Sequence, residues 1–393
     1  MMRLMAPKTP RYIWQQPCWP ALVFDAQAVG VALGAARLAQ GVVEGKAHAI
    51  GLNPSGDLAR GVFADEVMAT AAIEGEVLDP AAVRSSVIRR LGLGRAGPKV
   101  RAVDGLVEVI NDAIQAHDAP LNHDRLWRWH SALFPGGTSG IRRIAVGRYR
   151  EHEDAMQIVS GQPGREVVHY EAPASRHVPA EMTKFLAWFA QTTPTPGQTS
   201  ALDGLARAAI AHLWFEAIHP FEDGNGRIGR AIADMAMAQD RRSPLRLYSL
   251  SRQLLTSRGA YYDALNQAQR GHCDVTAWVM WFASQFASAS AYTGALIDAA
   301  IQKSQFWARQ AGLAINERQR KVLQRLLDAG DGGFEGGLNA EKYMKMTGAS
   351  KATATRDLAA LLAAGSLWTV GQGKALKYYL AMPGWGHGVR LAE

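Results

Sequence analysis

The stretch His219-Pro-Phe-Glu-Asp-Gly-Asn-Gly-Arg-Ile-Gly-Arg230 gathers side chains that suit chemistry on phosphates. An imidazole such as His219 can take a proton from an attacking hydroxyl near neutral pH. Asp223 offers the hard carboxylate oxygens that Mg²⁺ prefers. Arg227 and Arg230 are three residues apart, so on a helix they share one face and can grip a polyphosphate. This inventory indicates phosphoryl or nucleotidyl transfer.

Two helices must bring these side chains together. Apolar residues recur at helical spacing between positions 202 and 213, and again between 228 and 235. Between the two runs, Gly224-Asn225-Gly226 predicts a turn, because glycine adopts backbone conformations that other residues avoid. A turn that leads into a helix presents unpaired N–H groups and the positive end of the helix dipole. This combination is a favoured binding site for phosphate. Asn225 can donate a further hydrogen bond to that phosphate.

The same stretch resembles, over its full length, the signature of the Fic family, His-Pro-Phe-x-(Asp/Glu)-Gly-Asn-Gly-Arg-x-x-Arg. The alternative is a helix cap with a buried histidine and two surface arginines, but agreement at all nine specified positions of the twelve-residue signature favours function. The resemblance implies a mostly α-helical fold and Mg²⁺-dependent transfer of AMP from ATP to a Ser, Thr or Tyr hydroxyl of a target protein. The branch of the family that phosphorylates carries Lys at the position of Gly226, so nucleotide transfer is favoured here.

The resemblance also assigns roles to residues of the stretch. His219 is implied to be the general base, and Asp223 is implied to hold Mg²⁺. The residues implied to bind the nucleotide are Gly224, Asn225, Gly226, Arg227, Gly229 and Arg230.

A second informative stretch predicts a helix over about 62–75, whose otherwise apolar face ends in Thr70 and Glu74. A carboxylate in the last turn opposes the helix dipole, which costs roughly 0.3–1 kcal/mol unless a cation answers it. The pattern Thr70-x-x-x-Glu74-Gly75 resembles the inhibitory helix of Fic proteins. That resemblance implies that Glu74 pairs with Arg230 and holds transfer back. The alternative is a solvated surface glutamate.

Two further segments are candidates for substrate contacts. On the family resemblance, a short strand or hairpin containing Gln157, Ile158 and Val159 is the flap that holds an extended target segment; the alternative is an ordinary surface hairpin. Tyr262 and Asn266 are four residues apart, hence on one helix face, and could stack on a base and hydrogen-bond it. The alternative is that the pair Tyr261-Tyr262 simply packs in the core, as a Tyr-Tyr pair in a helix more often does.

Composition favours a soluble globular protein, with 393 residues of which 48% are hydrophobic and 20% charged. The formal charge of +8 permits an acidic partner such as a nucleotide or DNA. Residues 1–8 lack the apolar core of a secretory signal, and no run approaches the ~20 apolar residues that cross a bilayer, so we expect no membrane partner. Cys18 and Cys273 are too few and too distant to predict a disulfide, and a reducing cytoplasm is the simplest location.

The chain is expected to have three parts: an N-terminal helical region over 1–100 with the inhibitory helix, a Fic catalytic core over 101–300 with a short β-hairpin flap, and a winged helix-turn-helix over 313–382. The last part, two short helices, a glycine-bearing turn and a hairpin, resembles winged-helix domains appended to Fic proteins. It would bind either DNA or protein, and a homodimer is a further candidate assembly. The side chains that would face a DNA groove are Lys351, Thr353, Thr355 and Arg356.

Three functions stay open at this point. The favoured one is protein adenylyl transfer held back by Glu74. A second is transfer from another nucleotide donor or removal of AMP, with Glu74 positioning a water. The third is a DNA-binding regulator whose Fic core only senses nucleotide. The intact His219 argues against the third, because sensing needs no general base.

Overall fold

The computed structural model of this chain describes residues 10–51, 56–92, 97–161, 165, 167–195, 197, 202–330, 336–383 and 385. The chain divides into two compact units, Met1–Gly294 and Ala295–Glu393. Most of the described residues are helical and the strands form two-stranded hairpins, which confirms the predicted fold class. Residues 1–8, which we expected to carry no secretory signal, lie outside the described residues.

The first unit is built from helices with two small hairpins inserted before the central pair. Its helices are α1 (Ala26–Ala49), α2 (Asp57–Ile73), α3 (Pro80–Arg90), α4 (Arg101–Gln115), α5 (His123–Leu133), α6 (Val178–Gln191), α7 (Gly204–Ile218), α8 (Asn225–Arg241), α9 (Leu250–Thr256) and α10 (Arg258–Arg270). Its strands are β1 (Thr138–Ser139), β2 (Arg142–Arg143), β3 (Gln157–Ser160) and β4 (Val167–Glu171), paired β1–β2 and β3–β4 antiparallel. Helix α11 (Thr276–Gln310) runs across the division between the units.

Helices α7 and α8 form the centre of this unit. Every residue of α7 is buried, as expected for a helix surrounded by others, and its N-terminus is capped by Asp203, which accepts from Leu205 N at 2.8 Å. Helix α8 is buried along most of its length and packs against α7. The loop between these two helices is the stretch from His219 to Gly224, so the core of the unit itself positions the candidate catalytic residues.

An extended segment before α1 lies on this core, and tryptophans fix it there. Trp14 Nε1 donates to Glu171 O at 2.8 Å and Trp19 Nε1 to Glu181 Oε2 at 2.7 Å. Cys18 is disulfide-bonded to Cys273, so our expectation of unpaired cysteines was wrong. The two cysteines are 255 residues apart in sequence, and only the fold brings them together. The cytoplasmic location stays a prediction.

Helix α1 is, among the described residues, the one helix long and apolar enough by length and composition to cross a membrane. Our statement that no run approaches such a span was therefore wrong. These criteria alone are weak, because core helices of soluble proteins also meet them. The helix is ion-paired to the core: Arg37 contacts Asp203 at 2.9 Å and also Asp240. The absence of a membrane partner stays a prediction.

The second unit has its own core. Asp357, buried on its third helix, accepts from Tyr343 Oη at 2.9 Å and Arg318 Nε at 3.0 Å, so one carboxylate joins three helices. Three helices are followed by an antiparallel hairpin, and both the winged-helix assignment and the binding of DNA or protein by this unit stay predictions. Lys351, Thr355 and Arg356 are exposed and Thr353 is half-buried. The elements are α12 (Glu317–Ala329), α13 (Ala340–Thr347), α14 (Lys351–Ala363), β5 (Leu367–Val370) and β6 (Lys377–Leu380).

Candidate active site

His219 ends α7 in a left-handed backbone conformation, with φ 50° and ψ 61°. This conformation is uncommon for a residue with a Cβ, and it is found where surrounding contacts enforce it, often at functional sites. Its ring nitrogen Nδ1 is buried and has no hydrogen-bond partner among the described residues, while 13% of the side chain stays exposed. The ring therefore presents its other side, with Nε2, to the site.

Arg150 fixes the backbone of the turn at His219 and Pro220. Its Nε donates to His219 O at 2.8 Å, and its backbone N–H donates to Pro220 O at 2.9 Å. The guanidinium is buried and also donates to Ser175 Oγ at 2.9 Å. Sequence reasoning assigned Arg150 no function. Nothing in the sequence connects Arg150 to His219, which lies 69 residues further along the chain.

The loop that follows His219 is closed by Asn225. Its Oδ1 accepts from Phe221 N at 2.9 Å and its Nδ2 donates to Phe221 O at 2.8 Å. Asn225 therefore fixes the loop in addition to the phosphate contact predicted for it, which stays a prediction. Gly224 has φ +81°, and a Cβ there would lie 2.9 Å from the Phe134 ring, so both backbone and space require glycine.

Asp223 stands at the open side of the loop with 36% of its side chain exposed. Ser139 Oγ donates to Oδ2, while Oδ1 accepts from Gly224 N at 2.5 Å and lies 3.4 Å from Arg227 Nη2. No group of three or more His, Cys, Asp or Glu side chains suited to a metal occurs within the described part of the chain. One accessible carboxylate nevertheless fits Mg²⁺, which binds through one or two carboxylates together with substrate phosphates. Metal binding by Asp223 stays a prediction.

His130 of α5 supports the same loop. Its ring stacks on Phe221 with centroids 4.2 Å apart, and its Nδ1 accepts from Gly147 N at 3.1 Å. That acceptor role places the proton on Nε2, which donates to Asp223 O at 3.2 Å. Burial lowers the pKa of His130 to about 4, so the ring is neutral at physiological pH.

Arg230 is buried on α8 and is bound by α2. Its Nε donates to Thr70 Oγ1 at 2.7 Å, and its Nη2 donates to Thr70 O at 3.0 Å and to Glu74 Oε1 at 2.8 Å. Burial alone would lower the pKa of Arg230, but the charge of Glu74, together with its hydrogen bond with Arg230 and the charges of Tyr261 and Glu216, raises that pKa above its ordinary value. The structure therefore brings together Thr70, Glu74 and Arg230, the contact that the sequence pattern implied.

Glu74 also lies over the start of α8. A Cβ placed on Gly226, in the first turn of that helix, would be 2.3 Å from Glu74 Oε1. A helix N-terminus favours an anion through its free N–H groups and its dipole. The Glu74 carboxylate is unfavourably placed with respect to the dipole of α2. Two positive groups compensate for this, the Arg230 guanidinium and the N-terminal turn of α8. Gly75, with φ +84°, turns the chain away immediately afterwards.

The second motif cation is paired in the same way. Arg227, which is 5% exposed, donates from Nη1 to Glu76 Oε1 at 2.8 Å and lies over the Phe134 ring at 4.9 Å. The segment after α2 therefore supplies one carboxylate to each motif arginine. Sequence reasoning missed Glu76, because the inhibitory pattern ends at Gly75 and an isolated glutamate carries no signal of its partner.

Helix α2 is fixed to the core one turn before Thr70. The buried carboxylate of Glu66 accepts from Ser249 Oγ at 2.9 Å and from Ser251 N at 3.0 Å, and it faces Arg246 at 3.7 Å. Glu66 and Thr70 lie four residues apart on the same helix face. Because Glu66 holds this face against the core, Thr70 and Glu74 are delivered to Arg230.

The predicted flap is a hairpin of β3 and β4 with a bulge between Ile158 and Val159. Gln157 Nε2 donates to Glu171 Oε2 at 2.9 Å, Ile158 is half-buried and Val159 is 47% exposed. Arg270 donates to two carbonyls of β4, whereas no strand in the described residues pairs with the outer edge of β3. An open β3 edge is what strand addition by a target segment requires. Target binding there stays a prediction.

Tyr262 reaches the site and Asn266 stays half-buried one turn further along α10. Tyr262 Oη donates to Ile73 O, in the last turn of α2, at 3.2 Å. Burial, with the nearby charge of Glu74, raises the pKa of Tyr262. Tyr262 therefore stands beside the Glu74–Arg230 pair. Contact of either residue with a base stays a prediction.

Comparison with known proteins agrees with this geometry. The model of the Fic/DOC family matches residues 120–237, and that of a domain of unknown function, DUF4172, matches residues 12–93. Residues 120–237 of this chain are therefore a Fic domain. A solved structure of a Fic family protein from Desulfovibrio desulfuricans G20 resembles the chain at 19% identity and a TM-score of 0.51, covering 91% of this chain and 97% of that one. At that identity the likeness concerns the fold alone.

Two curated relatives carry names that describe activities. Protein adenylyltransferase fic-1 of Caenorhabditis briggsae is 35% identical over 99 residues, 25% of this chain and 18% of the relative. Uridine 5'-monophosphate transferase of Xanthomonas campestris pv. campestris is 27% identical over 119 residues, 30% of this chain and 21% of the relative. The chain thus spans about a fifth of the length of each relative. Both names describe transfer of a nucleotide.

The state of His130 predicts how stability depends on pH. Since its pKa is about 4 in the folded protein and about 6.5 in the unfolded chain, the unfolded state binds more protons between these values. We expect the free energy of unfolding to fall by roughly 3 kcal/mol from this residue as the pH drops from 7 to 4. Urea unfolding at several pH values measures this.

His130→Gln should flatten part of that pH dependence, whereas the matched change His48→Gln, at an exposed histidine of α1, should leave it intact. Equal slopes for wild type and His130→Gln would show that His130 is not held neutral by the fold.

Proposed function

We propose that this chain is a protein adenylyltransferase, which moves AMP from ATP to a Ser, Thr or Tyr hydroxyl of a target protein and is restrained by its own Glu74. The observation that carries the proposal is that a carboxylate of the chain itself occupies a site suited to an anion. Glu74 pairs with Arg230 at 2.8 Å and covers the first turn of α8, beside a histidine with an open ring edge. A phosphate chain would use the same arginines and helix start.

The reaction is a displacement at the α-phosphorus of ATP. Nε2 of His219 takes the proton of the target hydroxyl while that oxygen bonds to the α-phosphorus. The bond from the α-phosphorus to the oxygen bridging to the β-phosphorus breaks, and pyrophosphate leaves. Arg227, Arg230 and the N–H groups of the first turn of α8 hold the phosphates in line. Mg²⁺, bound through Asp223 and phosphate oxygens, would neutralise charge on the phosphates.

Restraint follows from competition for Arg230. While Glu74 holds this guanidinium, the γ-phosphate end of ATP loses its strongest partner and the α-phosphorus is out of line for attack. Three hydrogen bonds to Thr70 and Glu74 keep Arg230 in place. The half-exposed Glu76 adds a second, weaker competitor at Arg227.

The donor and the direction of the reaction are the open alternatives. The relatives' names mention both adenylyl and uridylyl transfer. Incubation of Glu74→Gly protein and lysate with α-labelled ATP, γ-labelled ATP or α-labelled UTP separates them. Adenylyl transfer predicts label from α-labelled ATP only. Label from γ-labelled ATP would indicate phosphorylation, and loss of AMP from a pre-labelled target with wild type would indicate removal.

We expect His219→Ala, made in the Glu74→Gly protein, to abolish transfer but leave ATP binding. The phosphate partners are backbone groups and arginines, whereas His219 acts on the hydroxyl. Loss of a positioned general base typically costs about 10²–10⁴-fold in rate. The measurement is the rate of α-label incorporation into target, with ATP binding followed by calorimetry. Unchanged incorporation would remove His219 from the mechanism.

We expect Glu74→Gly to raise self-labelling and target labelling by roughly 10²-fold, the effect of bringing a misplaced reacting group into line. Glu76→Ala should add less than about fivefold, because an exposed ion pair is worth at most about 1 kcal/mol. Arg230→Ala should not activate, since it also removes a phosphate contact. Labelling rates at equal ATP compare these proteins.

The matched control is Glu108→Ala, which removes an exposed carboxylate from α4. It should label at the wild-type rate. If Glu74→Gly labels no faster than Glu108→Ala in the presence of a known target, Glu74 does not restrain the enzyme.

A further inference from the structure

A buried carboxylate faces the buried nitrogen of His219. Glu216 lies three residues earlier, in the last turn of α7, and its side chain is 5% exposed. Its Oε2 is 3.7 Å from His219 Nδ1. Glu216 Oε1 and His219 Nδ1 are both buried and have no hydrogen-bond partner within the described residues. His212 Nδ1 is likewise buried and unpaired within the described residues. Buried polar atoms normally find partners, and His219 Nδ1 lacks one although the Glu216 carboxylate lies opposite it, so this arrangement requires an explanation.

Gly229 of α8 leaves space for the Glu216 carboxylate. A Cβ on Gly229 of α8 would lie 2.8 Å from Glu216 Oε1 and 3.1 Å from His212 Nδ1. His212 is engaged through its other nitrogen, Nε2, which is 2.9 Å from Tyr261 Oη. Gly229 thus gives the carboxylate room where α8 passes α7. The nucleotide contact predicted for Gly229 stays a prediction beside this packing role.

The carboxylate is ionised. Burial alone would raise the pKa of Glu216, but its interaction with His219 and the charges of His212 and Arg230 outweigh burial and lower that pKa. A buried anion is stable only when a donor or cation answers it. The ring nitrogen that faces it from the catalytic side is His219 Nδ1, 3.7 Å from Oε2.

We propose that Glu216 is the positioning residue for His219. Its carboxylate accepts a hydrogen bond from Nδ1–H, which fixes the imidazole tautomer and leaves the lone pair of Nε2 for the incoming hydroxyl. The separation of 3.7 Å is longer than a hydrogen bond. Such contacts are often long without substrate and shorten in the reacting complex.

During the reaction Glu216 would stabilise the protonated ring of His219. This part of the inference rests on the proposed transfer. When Nε2 takes the hydroxyl proton, the imidazole becomes a cation that still carries its proton on Nδ1. The adjacent buried carboxylate stabilises this cation. Once pyrophosphate has left, the imidazolium releases the proton to solvent, and Glu216 is unchanged.

The tautomer can be measured without any turnover. In protein labelled with ¹⁵N-histidine, at a pH where the ring is neutral, the two nitrogen shifts report which nitrogen carries the proton. The His219 signals are assigned by their loss in His219→Ala. We expect the proton on Nδ1 in wild type and on Nε2 in Glu216→Gln, because the glutamine amide can donate to Nδ1.

The matched control for this measurement is Glu66→Gln. Glu66 is an equally buried glutamate, but it bonds Ser249 and Ser251 rather than His219. Its substitution should leave the His219 tautomer unchanged even where it lowers the unfolding temperature. A proton on Nε2 in wild type would overturn the proposal, and this result does not depend on any Glu216 variant folding.

Kinetics give a second readout. In the Glu74→Gly protein, Glu216→Gln should lower kcat by about 10²-fold or more with the KM for ATP unchanged. With its proton on Nε2, His219 can no longer take the hydroxyl proton, whereas the phosphate contacts remain. Glu216→Asp keeps the charge and should retain more activity than Glu216→Gln. Equal activity of Glu216→Gln and its parent would overturn the proposal.

The two proposals fail in different ways. A tautomer that follows Glu216, in a protein that labels no target with any nucleotide, would support the pair and refute adenylyl transfer. Adenylyl transfer with a tautomer indifferent to Glu216 would support the enzyme and refute the positioning role.

Discussion

The contact of Arg230 with Thr70 and Glu74 is the interaction on which the rest of the structure depends. A guanidinium buried this deeply needs an anion, and Glu74 supplies one from within the chain. Helix α2 must therefore dock on α8, which the buried Glu66 network secures one turn earlier. The same contact resolves the unfavourable placement of a glutamate at the end of α2. The proposed inhibitory contact and a packing contact are here one set of atoms.

The loop after His219 is rigid because contacts from outside it fix each carbonyl. Arg150 binds the His219 and Pro220 turn, Asn225 closes the loop on Phe221, and neutral His130 supports Asp223 O. These contacts keep a left-handed histidine at the end of α7 without help from a ligand. A preorganised site of this kind needs little rearrangement to stabilise a transition state.

Much of this site could be predicted from sequence because its signals are local. The motif spans twelve residues, and Thr70 and Glu74 share a helix face. The supporting residues could not be predicted, since each meets a partner far along the chain: Arg150 is 69 residues from His219, and Cys18 is 255 from Cys273. With 43 basic and 35 acidic residues, sequence alone cannot pair an arginine with a particular carboxylate. Strong helical periodicity made the fold class predictable, whereas these tertiary contacts depend on packing.

The central claim is that Glu74 occupies the place of a phosphate. Calorimetric titration of ATP into His219→Ala protein, with and without the additional change Glu74→Gly, tests it where no turnover can occur. The account predicts binding at least about tenfold tighter without the carboxylate, a difference of about 1.4 kcal/mol. Equal affinities in the two proteins would contradict it, because a carboxylate that occupies part of the ATP site must weaken ATP binding.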